Sequence, residues 1–407
     1  MMRLKFAATI NDEALPENVD PDFEIAYVDI GNVDSSGTIH EIVDYRFEAA
    51  PSRARRIVQD GDVIISTVRT YLQAIAPIIS PPENLIVSTG FAVVRPRSSL
   101  LDPGFCRYAV REPRFLAEVE MRSTGISYPA INASEIGDIV IALPELPVQR
   151  RTSAFLDAEL AQIDALIEAK QKLLDLLAEK RRTLVAEAIM RGLDRSAPLR
   201  PCGIEWLGDI PAHWKIERSR WLFSERDERS DTGEEEMLTV SHITGVTPRS
   251  EKDVNMFEAE TTAGYKLCFT GDLVINTLWA WMGAMGTAPI DGIVSPAYNV
   301  YSPGPCLLPA YVDALVRIPV FAQEVTRYSK GVWSSRLRLY PEGFFETFWP
   351  VPPLNEQEQI VAHIAEERTK IDKLASATER SITLLKERRS ALIAAAVTGQ
   401  IDIPEAA

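Results

Sequence analysis

The sequence predicts an α+β protein: two globular α/β regions separated by two long antiparallel helices that form a coiled-coil spacer, with a pseudo-two-fold internal repeat. Two observations carry this expectation. Pro144–Asp194 falls without a gap on Pro352–Asp402 when moved 208 places, matching Gln149 to Gln357, Ile163 to Ile371, Asp164 to Asp372 and Arg181 to Arg389 among others. The regions before each copy also share an order of short motifs: Gly61–Thr67 (GDVIIST) is echoed by Gly271–Thr277 (GDLVINT), and Val87–Pro96 by Val294–Pro303. Two copies at so long a period indicate a duplicated half rather than a solenoid.

Each copy reads as one helix. Leu156, Leu160, Ile163, Ile167, Leu174, Leu177, Leu184 and Ala188 recur at steps of three and four, or their sums, like the a and d positions of a heptad. Ile364, Ile371, Ile382, Leu385, Leu392 and Ala396 repeat that seam. Neither Pro nor Gly lies between Phe155 and Ile189, so the helix runs unbroken for roughly 52 Å at 1.5 Å per residue. Lys170, Arg181, Arg368 and Arg389 interrupt the seam, so the pairing is partly polar. The second helix has only the first as an apolar partner. It is expected to return antiparallel, bringing Ala407 near Met1 and holding two heads apart.

The expected boundaries are a first head at 1–143, a first helical spacer at 144–197, a second head at 198–350 and a distal helix at 351–407. In the first head, Ile25–Ile30 and Asp62–Ser66 read as strands, and Ile86–Arg95 as a strand pair around Gly90. Pro51–Arg56 (PSRARR) reads as a compact basic loop, a composition that also suits a solvated charge run. Pro103–Met121 has helical spacing interrupted by Pro113, hence two short helices. Arg122–Asn132 is a polar loop. Ser196–Gly203 is a proline-rich linker, and the second head opens with Ile204–Trp214.

The chain has 407 residues, 46% of them hydrophobic, enough for several cores. No apolar run reaches the length of a membrane span, and the start is not a secretory signal. The four cysteines are scattered with no CxxC pair, which suits a reduced, cytoplasmic protein without structural zinc. A net charge of −15 argues against a protein that simply coats DNA, and leaves room for local reading patches beside a basic partner.

No catalytic constellation emerges. There is no Gly-Lys dipeptide, hence no phosphate-binding Walker loop, and no Asn-Pro-Pro-Tyr run. Glu168-x-Lys170 lies on the helical seam, where a helical ion pair explains it. What stands out instead is arginine, hydroxyl and aromatic residues in loops after matching strands. Ser66–Tyr71 (STVRTY) corresponds to Asn276–Trp281 (NTLWAW), and Gly125–Tyr128 to Gly331–Arg336. Arginine reads guanine edges, Asn, Ser and Thr bond bases or phosphate, and aromatics pack on sugars and methyl groups. The candidate DNA-binding residues are Arg53, Arg55, Arg56, Thr67, Arg69, Tyr71, Ser127 and Tyr128 in the first head, and Asn276, Trp279, Trp281, Ser334 and Arg336 in the second.

Together Ala50–Arg56, Gly61–Thr70, Ser88–Phe91 (STGF), Ser127–Asn132 (SYPAIN), Ile204–Trp214, Val294–Tyr298 (VSPAY) and Pro352–Gln357 (PPLNEQ) resemble the specificity (S, HsdS) subunit of type I restriction-modification systems, over essentially the whole chain. The resemblance implies that the heads are target recognition domains, each reading one half of a split double-stranded DNA site. It implies that the helices space the heads and dock two methyltransferase (M) subunits. S-adenosylmethionine and adenine N6 methylation would come with those subunits, and ATP and Mg with a translocating, cleaving restriction (R) subunit where one is present. This chain would hold no cofactor and be non-catalytic by itself. One departure concerns the start: Arg3–Phe6 resembles the residues just after Ile204–Trp214, so either the true start lies upstream or this head lacks the lead-in. Two other readings compete, a self-sufficient fused methyltransferase or nuclease and a coiled-coil adaptor without a DNA role. The missing catalytic motifs count against the first, the duplicated heads with variable loops against the second.

Overall fold

The computed structural model describes residues 1–251, 261–331 and 337–403. The chain divides into two compact units, Met1–Gln171 with Glu379–Ala407, and Lys172–Thr378. Mixed α and β structure fills both.

In the first unit an antiparallel sheet orders Ala8–Ile10, Phe91–Pro96, Val63–Ser66 and Ile75–Pro77. A second sheet orders Val43–Arg46, Glu24–Val28, Leu85–Ser88 and Ala54–Ile57, with Glu24–Val28 parallel to Leu85–Ser88. Side chains alternate between faces along a strand, and here both faces of the first sheet are covered. Val63, Ile65, Ala92 and Val94 point into a core shared with Phe105, Phe115 and the long-helix residues Leu156, Leu160 and Ile163. Ile64, Ala76 and Val93 point the other way, onto Ala26, Val28, Leu85 and Val87 of the second sheet. That double burial is why VIIS is a continuous apolar run and not an alternating one.

Two expectations change. The strands around Gly90 do not pair with each other: Leu85–Ser88 and Phe91–Pro96 belong to different sheets, and the turn between them crosses from one layer to the next. The basic loop is partly a strand, since Ala54–Ile57 pairs with Leu85–Ser88 through a bulge between Ala54 and Arg56. Only Ala54 of that strand is fully buried, so apolar periodicity carried no signal for it.

The second unit repeats the arrangement. Phe223–Arg226, Tyr298–Pro303, Leu273–Asn276 and Met285–Thr287 form an antiparallel sheet in that order. Leu273, Ile275 and Tyr301 enter the larger core with Trp349, Phe321 and Ile364. Val274 and Val300 face Leu238, Val240, Cys268 and Val294. The lead-in Ile204–Trp214 belongs to this core through Trp206, Leu207, Ile210 and Trp214, and Trp214 Nε1 donates to Glu356 Oε2 at 2.7 Å. The repeated Gly-Asp turns have one explanation. Gly61 and Gly271 sit at φ +88° and +91°, where glycine alone is unstrained. The buried Asp62 and Asp272 that follow receive Arg95 Nε at 2.9 Å and Arg226 Nε at 2.8 Å.

Both long helices are present, Leu146–Arg191 with 46 residues and Leu354–Val397 with 44, about 69 and 66 Å long. The first starts earlier than the unbroken run suggested, because Pro147 lies in its first turn, where no intrahelical N–H bond is lost. It stops before Gly192, at φ +72°, a left-handed end that favours glycine. Leu156, Leu160, Ile163, Leu177 and Ala188 are buried, as are Ile364, Ile371, Ile382 and Ala396, each Leu or Ile contributing about 1.5–3 kcal/mol. In the first unit Arg389 Nε bonds Asp164 Oδ1 at 3.0 Å, and in the second Arg181 Nη1 lies 3.3 Å from Asp372 Oδ1. As one index rises the other falls by the same amount, the register of antiparallel helices.

Each helix start is latched by a buried glutamine. Gln149 accepts from the Asp102 amide at 2.8 Å and donates to the carbonyls of Leu100 and Pro144 at 2.9 and 2.7 Å. Gln357 does the same with the Leu308 amide and the carbonyls of Cys306 and Pro352, at 2.8, 2.9 and 2.9 Å.

Candidate nucleic-acid interface

At one end of the first sheet, the turn Ser88–Gly90 ties the predicted loops together. Thr67 Oγ1 donates to the Gly90 carbonyl at 2.8 Å, and the Thr89 amide donates to the Arg53 carbonyl at 2.8 Å. The second loop joins them. The Ile131 amide donates to the Thr67 carbonyl at 2.9 Å, Val68 and Ala130 form a bridge, and Thr70 Oγ1 lies 2.7 Å from Ser123 Oγ. The two stretches singled out in the sequence, around Arg69 and around Tyr128, are therefore one surface.

The loop tip is closed by paired bonds between Thr124 and Ala130, at 2.8 and 2.9 Å. It presents Ile126, Ser127 and Tyr128 to solvent. Ile126 is fully exposed and escaped the sequence reading. Its one signal was an apolar residue between Gly125 and Ser127 in an otherwise polar loop. Arg69 stands over Tyr128, with Cζ 4.9 Å from the ring centroid. Its backbone is left-handed, φ 51° and ψ 48°, and Gln73 across the short turn Thr70–Leu72 is likewise at φ 51°. Each such non-glycine residue costs roughly 1–2 kcal/mol, a strain typical of functional loops. Tyr71 is exposed beside them.

The remaining first-head candidates differ in what they offer. Arg53 is exposed. Arg55 folds back, donating to the Ala54 carbonyl at 2.8 Å and lying 4.6 Å from the Phe47 ring centroid. Arg56 is half-buried in its strand. Thr67 spends its hydroxyl on the loop frame.

In the second head the frame recurs. Thr277 Oγ1 donates to the Ala297 carbonyl at 2.9 Å, and the Leu339 amide donates to the Thr277 carbonyl at 3.1 Å. Lys330 and Arg338 bridge where Thr124 and Ala130 do. Asn276 is buried within this frame: its Nδ2 donates to the Tyr298 hydroxyl at 3.1 Å and its Oδ1 accepts from the Leu278 amide at 3.3 Å. Trp279 and Trp281 project from the loop and stack, centroids 6.2 Å apart, with Trp281 Nε1 donating to the Leu278 carbonyl at 3.1 Å. Here the turn ends on Gly283 at φ +87°, the place taken by Gln73 in the first head. Ser334 and Arg336 lie outside the described residues. So one frame presents arginine and tyrosine in one head and two tryptophans in the other.

Among the described residues no group of three or more His, Cys, Asp or Glu side chains is placed to hold a metal ion, and no helix is long and apolar enough to cross a membrane. No family model and no curated protein matches the sequence. Solved structures do. A chain from work on the structural basis of complex assembly and conformational transition of the type I R-M system matches with TM-score 0.76 and 23% identity, covering 98% of this chain and 97% of that one. The HsdS subunit from Thermoanaerobacter tengcongensis matches with TM-score 0.58 and 22% identity, covering 98% of this chain and 96% of that one. The chain has the HsdS fold. At these identities the likeness is one of fold, and it spans both heads and both helices. The two loop frames are thus repeated parts of an HsdS fold, carrying different side chains.

Proposed function

We propose that this chain is the DNA sequence-specificity subunit of a type I restriction-modification complex. In this reading residues 1–143 and 198–350 are target recognition domains, and each reads one half of a bipartite site. The observation that carries it is the repeated loop frame: Thr67 and Thr277 hold the same bonds while Arg69 and Tyr71 in one head give way to Trp279 and Trp281 in the other. A constant scaffold with changed projecting residues suits two readers of different sequences.

The spacers, residues 144–197 and 351–407, dock methyltransferase subunits. Support comes from leucines on the outer helix surfaces. Leu166 and its repeat Leu374 are 51% and 49% exposed, and Leu176 and its repeat Leu384 are 61% and 63% exposed. Equal exposure at repeat-related positions offers the same apolar contact twice, which fits two copies of one partner. Catalysis is then borrowed. S-adenosylmethionine belongs on the methyltransferase subunits, and ATP and Mg on a restriction subunit where one joins. Partners also supply positive surface that a chain of net charge −15 lacks.

Co-expression with a cognate type I methyltransferase subunit, followed by genome-wide mapping of N6-methyladenine, tests this. A split motif with an unread spacer is expected, and Trp279→Ala should change only the half read by the second head. Methylation at a contiguous motif, or by this chain alone with S-adenosylmethionine, overturns the proposal.

A further inference from the structure

We infer that Arg69, backed by Tyr128, reads a guanine through the major groove within the half-site taken by the first head. This rests on the DNA-reading function proposed above and adds the identity of a base.

Arg69 is exposed, and among the described residues its guanidinium has no hydrogen-bond or ion-pair partner, only the Tyr128 ring 4.9 Å away. Several other arginines of this head are engaged within the chain: Arg95 with Asp62, Arg107 with Asp157, Arg111 with the Ile75 carbonyl and Arg122 with Glu118. The ring contact uses none of the guanidinium N–H donors, which form a planar fork made for two parallel acceptors. Its root is fixed. The Arg69 carbonyl accepts from the Leu72 amide at 2.9 Å, and the next residue, Thr70, is buried against Ser123.

Two chemistries on DNA present paired acceptors, the O6 and N7 edge of guanine and the oxygens of a phosphate. Adenine offers one acceptor and one donor, cytosine a donor, and thymine an acceptor and a methyl group. The second head separates the two possibilities. Counting from the shared Thr67 and Thr277, the residue in the place of Arg69 is Trp279. Phosphate is the same at both half-sites and would favour the same cation in both heads. A guanidinium replaced by an indole on the same frame follows the base, which differs between half-sites.

The test uses the assembled complex with the methyltransferase subunit and duplexes carrying its mapped site. Each guanine of the first half-site is replaced in turn by 7-deazaguanine, which lacks N7, and each nearby phosphate by methylphosphonate. Binding and methylation are measured for wild type, Arg69→Gly, Tyr128→Phe and Tyr128→Ala. Glycine suits the left-handed backbone, so Arg69→Gly removes the side chain without adding strain. One guanine should become insensitive to 7-deaza replacement in Arg69→Gly, with discrimination against other base pairs there falling about 5- to 140-fold. Tyr128→Phe should keep the discrimination and Tyr128→Ala should lower it, while the second half-site stays unchanged. A first half-site without guanine overturns the inference. So does a loss that follows a methylphosphonate, or one that is uniform over all base pairs; a split methylation motif with any of these outcomes leaves the DNA-reading function standing. Absence of any split motif removes both.

Discussion

Arg181 faces Asp372 as Arg389 faces Asp164, and the repeat turns each pair into the other: Arg181 maps onto Arg389 and Asp164 onto Asp372. Two of the four cations that interrupt the apolar seam, Arg181 and Arg389, are therefore one reciprocal contact made twice. This is what an isologous interface produces, here within a single chain.

The contact sets register more than stability. Arg181 and Asp372 are about half exposed, so this pair contributes only about 0.2–1 kcal/mol. Arg181→Asp should destabilise by more than that, because it faces Asp372 with a like charge. The double variant Arg181→Asp/Asp372→Arg should recover most of the loss. A double-mutant cycle in urea measures the coupling, and a value of zero means the pair is incidental.

Gln149 and Gln357 should be far less tolerant. Each is fully buried and satisfies one amide and two carbonyls at the root of a helix. Gln149→Leu keeps the bulk but strands three backbone groups, each costing about 1–3 kcal/mol unless water replaces the bond. A loss of roughly 3 kcal/mol or more is expected, with Gln357→Leu giving a similar value. Thermal melts of the two variants decide this, and a shift no larger than that of a surface substitution would contradict the latch.

Asp34 gives a dependence on pH. Burial opposes its ionisation, but the Ser36 hydroxyl, the Thr38 amide and His40 outweigh it and hold the carboxyl down at about 2 instead of 3.8. A carboxyl depressed on folding contributes stability above its unfolded value and loses it as pH falls through its folded value. The melting-temperature gap between wild type and Asp34→Asn should be fully present well above pH 3.8 and close as pH drops through 3.8 towards about 2. A gap that persisted unchanged at the acid end would show that hydrogen-bonding shape, not charge, supplies the effect.

Much of this was legible in the chain because helical periodicity is local. Leu156, Ile163 and Leu177 reveal a seam over a few turns, and the ungapped copy reveals its partner. The layering of the heads was less legible, since it depends on distant pairings. Nothing near Glu24–Val28 announces a parallel partner at Leu85–Ser88, and Ala54–Ile57 is a half-exposed strand whose arginines look like a loop. Motif matching did find the presented loops, but it could not separate frame from surface. Thr67 and Asn276 have the residue types of DNA contacts, and only their bonds to Gly90, Tyr298 and Leu278 reveal where their polar atoms are used. Ile126 was missed for the opposite reason, because an isolated aliphatic residue suggests burial.

The division of the chain has a consequence for its synthesis. The second unit is one continuous segment, Lys172–Thr378, whereas the first needs Glu379–Ala407 to be complete. Ile393, Ala396 and Val397 belong to the core that covers Leu156, Leu160 and Ile163. As domains fold while the ribosome still delivers the chain, the unit begun first is finished last. The part of that core closed by Ile393, Ala396 and Val397 stays open while more than 200 further residues, from Gln171 to Glu379, are made. The nascent unit is open to misassembly in that interval, and the arrival of the helix Leu354–Val397 ends it.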